Sequence, residues 1–385
     1  MNQTFLIESS HLQQLLEALQ RRGYAVLGPT LAQGDLVWGE LHSSAELPVG
    51  WGTREEPGFF HLVKEKSQGY FGCRPGQHSL KQFLFSPDTL LWRARREGGN
   101  WRLEVPAASE APYAFLGVRA CDLAALEVHD RVFSRGRYLD PLYQERRNRA
   151  FIVAVNCTGS GGACFCASLG TGPRATSGFD LALTEVLEEG RHFFLGEVGT
   201  KQGAEILGGV THRQATATEI AAAERLVAGA ARNQTRVLAT GGLKEFLYDN
   251  FENPHWDRVA ERCLTCGNCA MSCPTCFCHD YLDSLDVTGQ VAERRRHWEV
   301  CFSVEHSYIH GGAIRPSPRS RYRQWLTHKL AAWQDQFGCL GCVGCGRCIT
   351  WCPVGIDLTQ EVRSLMAAAS PAAPESAGEK EHGDH

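Results

Sequence analysis

The chain has 385 residues, 43% of them hydrophobic and 21% charged, with a formal net charge of −4. This length suits two or three domains, and the small net charge gives no indication of nucleic-acid binding, which usually requires a strongly basic face. No uninterrupted run of about 18 apolar residues occurs, so no membrane span is predicted.

The cysteines are unevenly distributed. There are 17 in the chain, and most of them fall between Cys263 and Cys352. The N-terminal segment shows no basic region, apolar core or cleavage site of a secretory signal. Clustered cysteines in a chain without a leader bind metal more often than they form disulfides, so we expect a metal-binding, cytoplasmic protein.

The first part of the chain predicts one helix followed by short strands. Leucines recur at helical spacing within residues 9–22, behind two serines that can cap the helix. Residues 24–105 are β-rich and are interrupted by Gly and Pro. This pattern indicates a sheet-forming region rather than a helical bundle.

A strand–helix–strand pattern follows. Residues 113–118 predict a buried strand, residues 123–133 predict a helix with Asp122 as its N-cap, and residues 151–156 predict a second buried strand. A Gly-rich loop containing cysteines comes next. This order of elements predicts an α/β core with candidate ligands at the strand ends.

The composition changes near residue 250, after a helical-looking stretch over 213–250. We therefore predict an α/β domain over residues 1–250 and a cysteine-rich domain over 251–369. Residues 370–385 have no apolar periodicity and predict a disordered tail.

Two copies of one cysteine motif dominate the second domain. The first is CLTCGNCAMSCP at 263–274, and the second is CVGCGRCITWCP at 342–353. Both read C-x2-C-x2-C-x3-C-P, the spacing of bacterial ferredoxins, in which the fourth cysteine binds the cluster of the other motif. The proline that follows each motif lacks an N–H that a helix start does not need.

The exchanged spacing predicts two [4Fe–4S] clusters. The predicted ligands of cluster one are Cys263, Cys266, Cys269 and Cys352, and those of cluster two are Cys342, Cys345, Cys348 and Cys273. The alternative is a structural zinc-binding module, although zinc needs only four thiolates in two pairs. The long insert between the motifs contains helical-looking stretches at 291–300 and 319–333, so we predict a mainly helical, ferredoxin-like two-cluster domain.

Other cysteines raise the question of a third site. A possible third iron–sulfur cluster would use Cys121, Cys157, Cys164 and Cys166, which lie at predicted strand ends or in the Gly-rich loop. The alternative is that these are simply buried thiols. A further set, Cys276, Cys278 and Cys301, would need a borrowed fourth ligand, and Cys73 and Cys339 stay unassigned.

Several segments resemble one family of proteins. These are FLGVRACDLAAL at 115–126, CFCASLGTGP at 164–173, CPTCFC at 273–278 and FGCLGCVGCGRC at 337–348. Together they are similar to the β subunit of sulfhydrogenases, the cytoplasmic NAD(P)-linked nickel–iron hydrogenases, and to the matching iron–sulfur subunit of anaerobic sulfite reductase. The resemblance runs from about residue 75 to 365, and Cys73 and the C-terminal tail have no counterpart in it.

The resemblance implies a non-catalytic electron-transfer subunit. Such a subunit relays electrons between a flavin subunit that exchanges hydride with NAD(P)H and a nickel–iron hydrogenase core. The eight motif cysteines carry over as cluster ligands. The electron-transfer subunit of an anaerobic sulfite reductase would have the same ligands, so the two complexes stay as alternatives at this stage.

Overall fold

The computed structural model describes residues 4–74, 76–105, 111–188 and 190–369. The predicted disordered tail at 370–385 lies outside these residues. The strands are β1 Thr4–Glu8, β2 Ala25–Ala32, β3 Asp35–Glu40, β4 Trp51–Glu56, β5 Phe59–Lys64, β6 Asp88–Glu97, β7 Asn100–Glu104, β8 Tyr113–Val118, β9 Phe151–Val155, β10 Leu181–Glu188, β11 Arg191–Val198, β12 Arg213–Gln214, β13 His279–Leu285, β14 Val291–Trp298, β15 Tyr308–Ile309 and β16 Gly312–Ala313. The helices are α1 Leu12–Arg21, α2 Lys81–Leu84, α3 Ala120–Phe133, α4 Pro141–Arg149, α5 Lys201–Leu207, α6 Ala217–Arg232, α7 Leu243–Asp249, α8 His255–Ala260, α9 Asn268–Met271, α10 Pro318–Thr327, α11 Trp333–Phe337, α12 Arg347–Thr350 and α13 Leu358–Ala369.

The first half of the chain is built on a mixed sheet of eight strands in the order β12-β1-β11-β10-β9-β8-β2-β3. The neighbours β2, β8, β9 and β10 run parallel, and the outer pairs are antiparallel. Helices pack against this sheet, in agreement with the α/β prediction for this part of the chain. The carboxyl ends of β8 and β9 lead directly to Cys121 and Cys157.

The central strand β9 is apolar throughout because both faces of the sheet are covered. Phe151 and Val153 pack into one hydrophobic cluster with the leucines of α1, whereas Ile152 and Ala154 pack into another with α3. Alternate residues of a strand point to opposite faces, so a strand covered on both sides needs a continuous apolar run. The helix predicted over 9–22 is confirmed as α1.

The helix predicted over 123–133 is confirmed as part of α3, but its predicted N-cap is wrong. The helix begins at Ala120 with Arg119 as the N-cap residue. Asp122 is at the third helical position, where its carboxylate accepts a hydrogen bond from the Arg119 backbone N–H at 3.4 Å. An acidic residue at the third helical position completes a capping box. The sequence pattern alone does not show whether such a residue is the N-cap or the third residue of the helix.

The predicted helical stretch at 291–300 is wrong. Residues Val291–Trp298 form β14, which pairs with β13 and β6 in a four-stranded sheet of order β13-β14-β6-β7. Asp286 stabilises the turn between β13 and β14, because its carboxylate accepts hydrogen bonds from the backbone N–H groups of Gln290 and Val291. The hairpin and its pairing with β6 outweigh the helix propensity of a charged segment.

The region around the two cysteine motifs therefore combines a β-hairpin with helices, and the expectation of a mainly helical domain is not confirmed. The stretch predicted as helical at 319–333 is confirmed as α10, a π-helical segment His328–Ala332 and the start of α11. The stretch at 213–250 contains α6 and α7 separated by non-helical residues. The domain boundary near residue 250 stays a prediction. Among the described residues, every helix is too short or too polar to span a membrane.

Candidate metal centres

The two cysteine motifs have the same local conformation. Each runs as a loop into a short helix, α9 or α12, whose N-cap is a glycine with a left-handed backbone, φ 77° at Gly267 and 78° at Gly346. A Cβ at Gly346 would lie 2.5 Å from the carbonyl oxygen of Ala163. Glycine is therefore required at that position both by its backbone angle and by close packing.

The first quartet consists of Cys263, Cys266, Cys269 and Cys352. These four side chains line one cavity, together with Cys348 and several apolar side chains. Three of the cysteines come from the first motif and one comes from the end of the second. The fold thus brings together the residues that the exchanged spacing predicts for cluster one.

The second quartet consists of Cys342, Cys345, Cys348 and Cys273. Burial raises the pKa of Cys348, and the neighbouring Cys342, Cys345 and Cys273 raise it further. Burial also raises the pKa of Cys342 to about 12. Lys329 Nζ contacts both Cys273 Sγ at 3.2 Å and the carbonyl oxygen of Gly341 at 2.9 Å, so the last cysteine of the first motif lies beside the start of the second motif.

The environment of Cys269 in the first quartet opposes ionisation of its thiol. Burial raises the pKa of Cys269, and the adjacent Cys263 and Cys352 raise it again. Mutual repulsion in a buried site keeps such thiols protonated unless a metal replaces their protons. Four sulfurs around one cavity fit a multi-iron cluster bound by thiolates.

The third quartet consists of Cys121, Cys157, Cys164 and Cys166. All four side chains line a second cavity, together with Cys345. Cys121 is in the first turn of α3, Cys157 follows β9, and the other two lie in the Gly-rich loop. The strand ends therefore bring these cysteines to one place, although nothing in their spacing resembles a ferredoxin motif.

Polar groups around the third cavity are directed at its sulfur atoms. Gln234 Nε2 donates to Cys166 Sγ at 3.1 Å, and Arg119 Nη1 lies 3.9 Å from Cys157 Sγ. Arg74, Arg347 and Glu55 also line this cavity. Sequence reasoning assigned none of these residues to the site, because the spacing of the cysteines does not show which polar side chains the fold brings to the sulfurs.

A buried lysine contacts the second quartet. Lys329 Nζ lies 3.2 Å from Cys273 Sγ and 3.5 Å from Cys276 Sγ, and it donates to the carbonyl oxygen of Gly341 at 2.9 Å. Burial acts to lower the pKa of Lys329, but the adjacent sulfurs of Cys273 and Cys276 outweigh it and the net pKa is raised. The ammonium group therefore stays charged and offsets thiolate charge.

The remaining cysteines are outside the three quartets. Cys276 and Cys278 follow the first motif, and Cys301 follows β14. Cys73 is buried, and burial raises its pKa to about 11, whereas Cys339 is half-buried.

The cysteine quartets are not arranged as sites for a single metal ion. Among residues 4–74, 76–105, 111–188 and 190–369, no three or more His, Cys, Asp or Glu side chains are placed to hold one metal ion. A structural zinc site draws four ligands onto one ion at about 2.0–2.3 Å. The sulfurs of the first and third quartets instead each line a shared cavity without converging on one ion, which argues against the zinc-module alternative.

Two comparisons with known proteins agree with this geometry. Residues 262–356 match the family model described as a 4Fe-4S dicluster domain. The chain is 32% identical over 283 residues to sulfhydrogenase 2 subunit beta of Pyrococcus furiosus, and the alignment covers 72% of this chain and 79% of that relative. A search of solved structures found no match.

The fold and the cysteine sites define an iron–sulfur electron-transfer protein. The chain belongs to the sulfhydrogenase β-subunit family, as the resemblance of its motifs implies.

Proposed function

We propose that this protein is an electron relay in which three iron–sulfur sites form a line. The first and second quartets would each hold a [4Fe–4S] cluster, and the third quartet would hold a third cluster. When bound, such a cluster accepts and releases one electron at a time. The protein supplies the thiolates, the spacing and the surrounding charges.

The observation that carries this proposal is the sharing of residues between adjacent sites. Cys348 belongs to the second quartet and also lines the first cavity. Cys345 belongs to the same quartet and also lines the third cavity, where its carbonyl oxygen lies 4.0 Å from Cys164 Sγ. The second site therefore adjoins both of the others, which supports the order third, second, first.

The first site is closest to the surface. Cys266 is exposed, and the neighbouring Leu264 and Val354 are 62% and 39% exposed. Exposed apolar side chains beside a redox site suit contact with a partner protein, because their burial favours association. We infer that electrons enter or leave the relay here.

The proposed partners follow from the family. The P. furiosus relative is by name a subunit of a sulfhydrogenase. We infer that this chain works in the cytoplasm within a complex, passing electrons between a flavin subunit that uses NAD(P)H and a nickel–iron hydrogenase core. The alternative of a sulfite reductase complex receives no support from the relative that was found.

Anaerobic purification with iron and acid-labile sulfide analysis tests the relay. We expect roughly twelve irons and as many sulfides per chain if three cubanes are present. Roughly eight would remove the third site from the proposal, and zinc without labile sulfide would end it. Identification of the proteins that co-purify tests the assignment of partners.

A further inference from the structure

Two aromatic side chains of α10 lie on the wall of the first cavity. Tyr322 and Trp325 are three positions apart in α10 and therefore share one face of the helix. Their ring centroids are 5.5 Å apart. Both side chains line the cavity that the first quartet of cysteines also lines, together with the apolar ring of Phe302. The first site thus has two aromatic residues with polar atoms beside its sulfurs.

The polar atoms of these two side chains are buried and unpaired. Tyr322 and Trp325 are only 3% and 4% exposed. Tyr322 Oη and Trp325 Nε1 have no hydrogen-bond partner among the residues that the structure describes. Buried O–H and N–H groups in proteins nearly always have an acceptor, because an unpaired group loses its hydration without compensation. Two such groups on one cavity wall therefore indicate an acceptor within the cavity.

The Glu361 carboxylate, which acts on Tyr322 through its charge, is paired with other residues. It accepts from His255 Nε2 at 2.8 Å and from Arg262 Nη2 at 2.6 Å. Burial raises the pKa of Tyr322, and the charge of Glu361 raises it further, so the hydroxyl keeps its proton. The indole N–H of Trp325 can only donate. Both polar atoms are therefore available as hydrogen-bond donors.

We propose that Tyr322 Oη and Trp325 Nε1 donate hydrogen bonds to sulfur atoms of an iron–sulfur cluster at the first site and raise its reduction potential. The sulfurs of such a cluster accept hydrogen bonds, and these bonds are among the factors that set its potential. The reduced state carries one more negative charge than the oxidised state, so donors favour reduction. This inference rests on the proposed relay, because it requires a cluster in the first quartet.

The test is a potentiometric titration followed by electron paramagnetic resonance, on the full chain purified with its clusters under anaerobic conditions. The signal of the first site is the one that Cys266→Ser alters. Tyr322→Phe and Trp325→Phe should each keep the iron content and lower the potential of this site only. At a fixed applied potential, the ratio of reduced to oxidised first-site cluster should fall roughly five- to tenfold, which corresponds to about 40–60 mV for one electron.

Two matched controls remove the same chemical groups from buried positions away from the first cavity. Tyr143→Phe removes a buried hydroxyl that donates to Asp130 Oδ1 at 2.7 Å. Trp256→Phe removes an indole N–H that donates to the carbonyl oxygen of Asn250 at 2.9 Å, in the same hydrophobic cluster as Trp325. Neither Tyr143 nor Trp256 lines the first cavity. Both control variants should leave the potential of the first site unchanged.

The sign of the shift separates hydrogen bonding from a packing role. A substitution that only admits water would raise the potential, because a more polar environment favours the more negative, reduced state. An unchanged or higher potential in both Tyr322→Phe and Trp325→Phe would therefore overturn the inference, and so would the loss of roughly four irons in both. These results would leave the relay in place. A parent chain without a cluster at the first site would instead remove the relay and this inference with it.

Discussion

The guanidinium of Arg347 lies 2.9 Å from the carboxylate of Asp122, and both side chains are no more than 3% exposed. Arg347 is inside the second cysteine motif, and Asp122 is in the helix that carries Cys121. Arg347 Nε also donates to the carbonyl oxygen of Gly76 at 3.1 Å. This ion pair joins the motif that contributes to the second site to the helix that contributes to the third.

Asp122→Asn should destabilise the protein strongly, because it leaves the Arg347 charge buried without its partner. Breaking a buried ion pair from one side typically costs about 3–5 kcal/mol. Denaturant unfolding under anaerobic conditions measures the loss. The control is Asp283→Asn, which removes an exposed partner of Arg294 and should leave the unfolding midpoint unchanged. Equal effects of both substitutions would show that the buried pair has no special structural role.

Cys273→Ser should damage the second site rather than the site that holds the rest of its own motif. Cys273 Sγ lies 3.2 Å from Lys329 Nζ, which also donates to the Gly341 carbonyl oxygen beside Cys342, and Cys273 does not line the cavity of the first quartet. Electron paramagnetic resonance of the reduced protein distinguishes the two signals, and Cys352→Ser should give the reciprocal result. If Cys273→Ser removes only the signal of the first site, the exchange of ligands between motifs is wrong.

Cys157→Ser tests the third site. We expect loss of roughly four irons per chain with the other cluster signals retained, because Cys157 lines the cavity of the third quartet and not that of the first. Iron analysis and electron paramagnetic resonance measure this. Cys339→Ser, which alters a half-buried cysteine outside the quartets, should keep the full iron content. An unchanged iron content in Cys157→Ser would remove the third cluster.

Much of the site could be predicted from the sequence because its signals are local. The spacing within each motif sets the loop conformation, and the strand-end positions of Cys121 and Cys157 indicate a shared edge of the sheet. The assignment of ligands to clusters stays a prediction for the experiments above. The family is predicted from short segments and is confirmed by the relative that covers most of the chain.

The features that escape prediction depend on contacts between distant residues. The sequence predicts a helix at 291–300, but this segment pairs with β6, which lies 200 residues earlier in the chain, as the Arg93–Glu293 contact at 2.6 Å shows. The buried charges of Arg119 and Lys329 lie near sulfurs for the same reason. Local periodicity contains no information on such pairings, and tertiary contacts override propensity where they occur.

Lys329→Met should lower the reduction potential of the second site. The Lys329 ammonium lies 3.2 Å from Cys273 Sγ and favours the more negative, reduced state of whatever those thiolates bind. At an effective dielectric constant near 20, one charge several ångströms from a redox site contributes roughly 2 kcal/mol, which predicts a shift on the order of 100 mV. A potentiometric titration followed by electron paramagnetic resonance measures the shift. Lys244→Met, at a surface lysine paired with Asp335, is the control and should leave the potential unchanged.

The His129→Phe variant should lose less folding stability at acidic pH than the parent chain. His129 is fully buried in α3 between Phe133 and Tyr143, and burial lowers its pKa to about 3. The unfolded chain therefore binds a proton below about pH 6.5 that the folded chain does not, and stability falls as the pH drops through that value.

Protonation of His129 in the unfolded chain should lower the free energy of unfolding by about 1 kcal/mol between pH 7 and pH 5.5. Phenylalanine keeps the aromatic packing but cannot be protonated, so the variant should lose less stability over this interval. Denaturant unfolding at both pH values, with a third series at about pH 8, measures the difference. Between the two higher pH values the free energy of unfolding should change almost equally in the two chains, because the imidazole of the unfolded chain is mostly neutral there. An identical acid response of the variant and the parent chain would show that His129 becomes protonated in the folded protein.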